Sequence, residues 1–528
     1  MNGSSGENVN IIGAGLAGLS AALTLAGKGM SCRLISLQPS ERSQSVMAEG
    51  GINAALDTMG EGDSTKEHFE DTMRGGAYLA DPEAVRGLTE NAPDIVRWLF
   101  KLGVPFAMND GDILLRNFGG QKKKRTAFAK SSTGKVIMNA LTDEVRKWEA
   151  KGLVVRYPHH EALEPLIKDG ICKGVFVRDT FTDEISFFEG AVIMATGGLN
   201  GLFEGHTTGS TANSGDFAAA CFAKGVNAAN LEMIQYHPTT AHIPGKRLLI
   251  SEAARGEGGR LFIMKHSRPW YFMEELCPEQ GNLAPRDVIS KTMTEVTAAE
   301  DTEGSAFLDL TGLSGDIWKN RLSDMRDELR EFLDIDPAAE PIPVSPGIHF
   351  FMGGIKVDIK HRTNVAGLYA AGECACQYHG ANRLGGNSML GAIYGGRVAA
   401  ETLADEASML LSNSAGDTSP DPRTHKYTND KAPDVSNKTE CRNDASQDEE
   451  MPDTSEIRPA TADRISYILS RSMGVLRNGA ELETALKDLA GLKKECTPRE
   501  LRRIMLAEAM LTAAYERKES CGAHVRTD

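Results

Sequence analysis

A chain of 528 residues exceeds what one hydrophobic core usually fills, so two or three domains are expected. A formal net charge of −15 and a pI near 5.4 oppose attraction to nucleic acid or to an anionic membrane surface. No apolar run reaches membrane-spanning length, no charged-then-apolar leader opens the chain, and the nine cysteines include no CxxC pair. A soluble, cytoplasmic protein with reduced thiols is therefore expected, without a metal, haem or iron-sulfur attachment site.

Taken in order, Val9–Ile12 reads as a short strand, followed at once by Gly13-Ala14-Gly15-Leu16-Ala17-Gly18 and a helical run, LSAALTLAGKG. Gly13 permits a tight turn, Gly15 lets the backbone approach a pyrophosphate, and Gly18 lets helix and strand pack closely. GxGxxG alone is a weak signal, but strand before and helix after favour dinucleotide binding over a glycine-rich turn. The next strand, CRLIS, ends at Ser36-Leu37-Gln38 with no acidic residue to meet a ribose, which argues against NAD and leaves FAD open. Between Asn53 and Ala191 helical runs alternate with short strands. The cluster Lys122-Lys123-Lys124-Arg125 there is expected to be a solvated loop, the alternative being a docking patch for an acidic electron donor. GAVIMATGG then returns the chain to the nucleotide domain as a buried parallel strand.

From about His237 to His349 a second domain is expected. Pro238 predicts an extended backbone at His237, its ring aimed by the turn. Ser251-Glu252-Ala253-Ala254-Arg255 places hydroxyl, carboxylate and guanidinium within one turn, and Arg286-Asp287 follows Pro285. Taken singly, each of these polar residues reads as structural. Further on, Leu368–Ala370 predicts a strand, GANRLGGNS a tight turn, and MLGAIYGGRVAAETLA a helix starting near Asn387. The unpaired amides at that helix start stabilise an anion or an electron-rich ring edge, Arg383 adds a permanent charge beside them, and Glu373 is placed to accept from a sugar or polyol hydroxyl. Residues 411–460 are rich in Asp, Ser, Asn, Thr, Pro and Lys and predict a disordered or loosely packed linker. Two amphipathic helical stretches follow it and are expected to form a small hairpin or bundle on the nucleotide domain.

The loop Arg42-Ser43-Gln44-Ser45-Val46-Met47-Ala48-Glu49-Gly50-Gly51-Ile52-Asn53 makes a more specific statement. Together with HFEDTMRGGAYLADPEAV, ATGG at 195–198, SGD at 214–216, QYHPT at 235–239, SEAARGEGG, APRD, HFFMGG and HGANRLGGNS, in that order over nearly the whole chain, it resembles the flavoprotein family of succinate dehydrogenase and fumarate reductase. L-aspartate oxidase belongs to the same family. The resemblance implies an α/β fold: a Rossmann-like FAD-binding domain (1–236 and 350–410), an inserted α+β capping domain (237–349), the linker at 411–460 and a C-terminal helical domain (461–528).

It also implies FAD on Gly13, Gly15, Gly18 and Ser36, on the loop residues Ser43, Gln44, Ser45, Gly50 and Gly51, and on Thr196, Asp216, Glu373, Ser388 and Met389. In membrane-bound relatives a His at the position of Gln44 bonds covalently to the flavin; glutamine cannot, so noncovalent FAD is expected. The implied substrate clamp is His237, Ser251, His349 and Arg383, with Arg286 as proton donor and Glu252 and Arg255 as its relay. An alkene accepts hydride from flavin N5 when a gripped and twisted carboxylate polarises it, which suits fumarate or a similar 2-enoate dicarboxylate.

Two alternatives accompany this reading. L-aspartate oxidases carry a Glu before the GG of the substrate loop, where this chain has Phe118-Gly119-Gly120, as fumarate reductases do. A flavin-carrying electron-transfer or scaffold subunit would have no need of the converging set His237, Glu252, Arg255, Arg286, His349 and Arg383. Electrons are expected to pass through a separate partner, such as an iron-sulfur protein or a small reduced carrier. That partner could hold the protein at a membrane. Near the C-terminus Ser520-Cys521-Gly522 stands where the family has Ser-Arg-Gly.

Overall fold

The computed structural model describes residues 9–129, 132–416 and 451–528. Its centre is a five-stranded parallel sheet in the order Leu368–Ala370, Val192–Met194, Val9–Ile12, Cys32–Ser36, Val154–Pro158. All four residues of Val9–Ile12 are buried, as a strand covered on both faces requires. On one face lie the helices Leu16–Gly27 and Asn387–Gly416, the second starting where the sequence places it. Glycine makes their approach possible. A Cβ on Gly18 would stand 1.9 Å from the carbonyl oxygen of Gly13, and one on Gly396 would stand 2.2 Å from that of Ala17. On the other face one core is shared by the antiparallel sheet His160–Lys168, Ile171–Asp179, Ile185–Glu189, the helix Asp216–Ala223 and the C-terminal helices.

The second sheet is antiparallel and six-stranded, in the order Lys246–Leu249, Ile234–Ile243, Ile342–Phe351, Thr302–Asp309, Arg260–Lys265, Arg268–Trp270. It packs against the helices Arg286–Thr297 and Ser323–Leu333 around Leu261, Ile289, Leu308 and Leu329. Two of its strands serve both halves of the molecule. Ile234, Ile348 and Phe351 belong to the core beside the parallel sheet, whereas Ala241, Ile243, Ile342 and Val344 belong to the core of the cap. The boundaries expected at residues 237 and 349 therefore fall inside continuous strands, not in linkers. His237 sits in that pairing opposite Gly347, and a register shift between His237 and Thr240 directs its ring, where the sequence suggested a turn.

Three expectations change. Lys122–Arg125 is not a solvated loop throughout: Lys122 and Lys124 are exposed, but Arg125 is fully buried with its Nη2 2.9 Å from Asp63 and 3.0 Å from Asp71. A run of like charges reads as solvent-facing because its acidic partners lie more than fifty residues away in sequence. The linker is shorter than expected, since the long helix continues to Gly416 and another begins at Pro459; residues 417–450 of the expected linker lie outside the described residues. The C-terminal helical part has three helices, Pro459–Ser472, Gly479–Leu492 and Pro498–Glu516, the last opened by a capping box between Thr497 and Glu500. Among the described residues no helix is long and apolar enough to cross a membrane.

Replacing Arg125 with Ala leaves buried Asp63 without its cation and Asp71 with only the partly exposed Arg74, and should cost about 3–5 kcal/mol. The measurement is the thermal unfolding midpoint, and a value equal to that of the unaltered protein would show that the buried triad contributes nothing to stability.

Candidate active site

A cavity of about 300 Å³ opens at the carboxyl ends of the parallel strands, the place where open α/β sheets bind ligands. Four loops leaving those strands line it, at Gly13–Leu16, Ser36–Gln38, Ala195–Gly197 and Ala371–Glu373. Gly13 takes φ +111°, and a Cβ there would meet the Ala195 carbonyl oxygen at 2.1 Å, so the turn and its neighbour exclude any side chain. Gly15 differs: a Cβ there would meet only Ser45 Oγ, at 3.0 Å, so its face is turned to the cavity. Ser45 Oγ accepts from the amide of Leu16 at 3.2 Å and holds the loop 43–51 against the helix start. Gln44 Oε1 accepts from the amide of Ser210 at 2.6 Å.

The same cavity is lined by His237, Ser251, Glu252, Arg286, His349 and Arg383. His237 and His349 come from adjacent strands and stand edge to face, 5.2 Å between ring centres. Thr208 Oγ1 shares a 2.9 Å hydrogen bond with His349 Nδ1, and Thr239 contacts His237 Nδ1 at 3.2 to 3.3 Å. Arg286 opens the helix Arg286–Thr297, and its Nε and Nη2 each lie 2.8 Å from Glu252 Oε2. Arg255 Nη2 stands 3.9 Å from that oxygen, and the amide of Gly119 donates to Glu252 Oε1 at 2.6 Å. Arg383 lies over the Phe350 ring at 4.6 Å.

Burial and crowding of cations fix the charge states. Burial, reinforced by Arg286, holds His237 and His349 well below the ordinary imidazole range, so both are neutral at pH 7. Burial alone would push Glu252 up, but Arg286, Arg255 and the Gly119 amide together hold it below the usual carboxylate range. Burial pushes Arg383 well below the ordinary guanidinium range, with Arg286 adding to the shift, and brings Arg255 down to about 10. Burial likewise raises Glu373 to about 7, opposed by the Phe351 amide and Arg383. Around Arg286 and Arg383 the arrangement is a cation-rich pocket in which Glu252 is the paired carboxylate, suited to an anionic substrate.

The profile described as FAD binding domain matches residues 8–389, and the one described as fumarate reductase flavoprotein C-term matches residues 499–528. The succinate dehydrogenase flavoprotein subunit of Bacillus subtilis is 35% identical over 99% of this chain and 91% of its own length. The chain belongs to the succinate dehydrogenase and fumarate reductase flavoprotein family. Other relatives include the fumarate reductase flavoprotein subunit of Haemophilus influenzae, 31% identical over 99% of this chain and 89% of its own length. L-aspartate oxidase 2 of Ralstonia nicotianae is 35% identical over 76% of this chain and 73% of its own length. A solved structure of E. coli quinol fumarate reductase superposes with a TM-score of 0.83 at 27% identity, covering 99% of this chain and 91% of that one. As a flavoprotein of this family, the chain is an FAD-dependent oxidoreductase acting on CH–CH bonds. The glycine-edged wall at Gly13 and Gly15, the helix start behind it and the half-buried Glu373 fit a dinucleotide with its phosphates and hydroxyls.

Of the flavoprotein residues singled out in the sequence, only Gly18 and Arg255 stay outside the cavity wall. Gly18 acts behind it through close packing, and Arg255 is buried behind Glu252 with Nη1 donating to the Asn282 carbonyl at 2.6 Å. Asp216 reaches the wall already engaged: Arg503 Nη2 stands 3.0 Å and Arg499 Nη2 3.1 Å from its Oδ2, both from the C-terminal helix. Ser36 Oγ donates to the Gln38 carbonyl at 2.7 Å, and Ser43, Gly50, Gly51, Thr196, Ser388 and Met389 all line the cavity. Sequence reasoning missed Gln235. Its Oε1 accepts from Arg286 Nη1 at 3.2 Å while its Nε2 donates to the Arg383 carbonyl at 2.7 Å, tying the two arginines together. The available signal was its place in QYHPT, two residues before His237 on the same strand, which puts both side chains on one face. It also missed Asn382, which donates to Asp287 Oδ1 at 2.8 Å.

Proposed function

We propose that this flavoprotein reduces fumarate, or a similar 2-enoate dicarboxylate, using noncovalently bound FAD and a separate electron donor. The observation that carries the reading is the convergence of His237, Ser251, His349, Arg286 and Arg383 on one wall of the FAD cavity. Bound beside them, FAD supplies the hydride chemistry. His237, Ser251, His349 and Arg383 are donors suited to carboxylate oxygens, and a guanidinium binds a carboxylate through two parallel bonds. Gripping one carboxylate between these donors twists it from the alkene plane and polarises the double bond.

Arg286 then protonates the other alkene carbon. A guanidinium is a weak acid, so its proton must be replaced as it leaves. Glu252, 2.8 Å from two Arg286 nitrogens, returns it, and Arg255, 3.9 Å from the same carboxylate oxygen, stands next in the relay. Gln235 and the Gly119 amide keep Arg286 and Glu252 from turning away. Phe118, where L-aspartate oxidases carry an acid, is buried with Arg116 over its ring and offers nothing to an ammonium group. The electron donor is proposed to be a separate carrier such as an iron-sulfur protein, since several relatives are named as subunits. Through such a partner the protein could also sit at a membrane surface.

Gln44 bears no nucleophilic nitrogen, so acid precipitation should leave yellow flavin in the supernatant and a colourless pellet. Flavin retained on the denatured chain would exclude noncovalent attachment.

Arg286→Gln should lower kcat by at least about a thousandfold, while flavin content and substrate-induced spectral change persist, because the lost proton transfer belongs to the transition state. Near-normal turnover would place the proton donor elsewhere.

A flavin without a covalent link is expected to have the lower potential, which favours fumarate reduction over succinate oxidation. With matched artificial dyes the forward rate should exceed the reverse. An anaerobic arm adds fumarate, iminoaspartate and other enoates separately to the reduced protein. Reoxidation by iminoaspartate alone would point to aspartate oxidation, and succinate oxidation as fast as fumarate reduction would point to a dehydrogenase.

A further inference from the structure

His349 is a neutral imidazole with a single proton for its two ring nitrogens, and the nitrogen that carries it decides whether the ring gives or takes a hydrogen bond. Nδ1 is engaged by Thr208, so Nε2 is the nitrogen left for a ligand in the cavity that both residues line. The proposed reaction gives Thr208 no role of its own.

The Thr208 hydroxyl also has one proton, and two acceptors lie within its reach. His349 Nδ1 stands 2.9 Å from Oγ1, and the Ile348 carbonyl oxygen stands 3.3 Å from it. That carbonyl already accepts from the Thr208 amide at 2.9 Å. Nδ1 is therefore the nearer and better acceptor, and a proton given to it leaves the ring's own proton on Nε2.

We propose that Thr208 is a positioning residue that fixes the tautomer of His349, so that Nε2–H is the donor offered to a substrate carboxylate. The choice of substrate rests on the dicarboxylate reading of the site, whereas the tautomer rests on the two side chains alone. The opposite tautomer would defeat the clamp. With the proton on Nδ1, a bare Nε2 lone pair would meet a carboxylate oxygen, acceptor against acceptor, and one donor would be lost.

The backbone holds Thr208 in place without its hydroxyl. Besides the Thr208 amide bond, the Ile348 amide donates to the His206 carbonyl at 3.1 Å, which clips residues 206–208 to the strand Ile342–Phe351 that carries His349. Removing the hydroxyl thus removes one proton donor and leaves the frame. At His237 no single side chain decides in the same way. Its Nδ1 stands 3.2 Å from the Thr239 carbonyl and 3.3 Å from the Thr239 amide and hydroxyl, and that hydroxyl gives its proton to the Ile250 carbonyl at 2.8 Å.

Two variants separate the hydroxyl from the rest of the side chain. Thr208→Val keeps the shape and removes the donor; Thr208→Ser keeps the donor and removes a methyl group. Oxidised, FAD-loaded protein with isotope-labelled histidine is studied by ring-nitrogen NMR at neutral pH, and His349→Gln identifies the His349 signals by their absence. The unaltered protein should show a protonated Nε2 and an unprotonated, hydrogen-bonded Nδ1. Thr208→Val should show a mixture of tautomers, and Thr208→Ser should restore the single one. Fumarate and, separately, malonate are then titrated, with flavin absorbance reporting binding without turnover. Affinity should fall by about tenfold to a hundredfold in Thr208→Val, as expected for a lost hydrogen bond to a charged group, and recover in Thr208→Ser. Flavin content and thermal midpoint verify that the variants are folded.

A protonated Nδ1 in the unaltered protein would overturn the proposal without recourse to any variant. Val and unaltered proteins with the same tautomer and the same affinity would overturn it too. The expected tautomers with equal affinities would remove Thr208 from the clamp and leave the fumarate reading standing. The expected tautomers with neither anion bound by any form would keep the pairing of Thr208 with His349 and overturn the dicarboxylate reading.

Discussion

Glu252 is the one negative charge through which the site's cations are held together. Two Arg286 nitrogens at 2.8 Å, Arg255 at 3.9 Å and the Gly119 amide at 2.6 Å all converge on its carboxylate. A carboxylate buried this deeply persists in ionised form only when such partners surround it. Without it, Arg286 and Arg255 would lose the carboxylate that both of them face. The fit around it is tight as well: a Cβ on Gly119 would lie 2.7 Å from Glu252 Oε1, so the loop needs glycine there. One ion pair thus joins the loop at 118–120, the segment 251–255 and the start of the helix at 286, each from a different part of the chain.

The two histidines stand at a mechanical seam. They sit on Ile234–Ile243 and Ile342–Phe351, the strands whose ends belong to separate cores. A strand pair is stiff along its length, so the cap cannot lose its register without disturbing both rings. The Thr208 and Thr239 contacts fix the rings within that seam, and burial keeps both neutral, so they serve as hydrogen-bonding groups and not as fixed charges.

The C-terminal part supports the cavity from behind at two places. Arg499 and Arg503 neutralise Asp216 at the wall, so the side chain that family resemblance assigns to FAD is oriented by a helix nearly three hundred residues later. Gly522 takes φ +52° and packs where a Cβ would lie 2.6 Å from the Ala381 carbonyl oxygen, two residues before Arg383. The amide of Ala523 donates to that same carbonyl at 2.9 Å, so these residues brace the turn that carries Arg383.

The sequence by itself determined what depends on near neighbours. The strand at Val9, the glycine turn, the helix start at Asn387 and the extended backbone at His237 follow from sterics within a few residues, and the structure has them there. The ordered series of motifs also pointed to the residues that line one cavity. What remained hidden was always a partner far away in the chain. Arg125 read as solvated until Asp63 and Asp71 closed on it, and Gln235 read as a strand residue until it bridged Arg286 and Arg383. Asp216 similarly showed no sign of Arg503. Local periodicity records which face of an element is apolar, but it holds no record of which charge will meet which across the fold. Those pairings, and the charge states that burial imposes on them, arise only when folding brings distant elements together in a medium too dry to screen them.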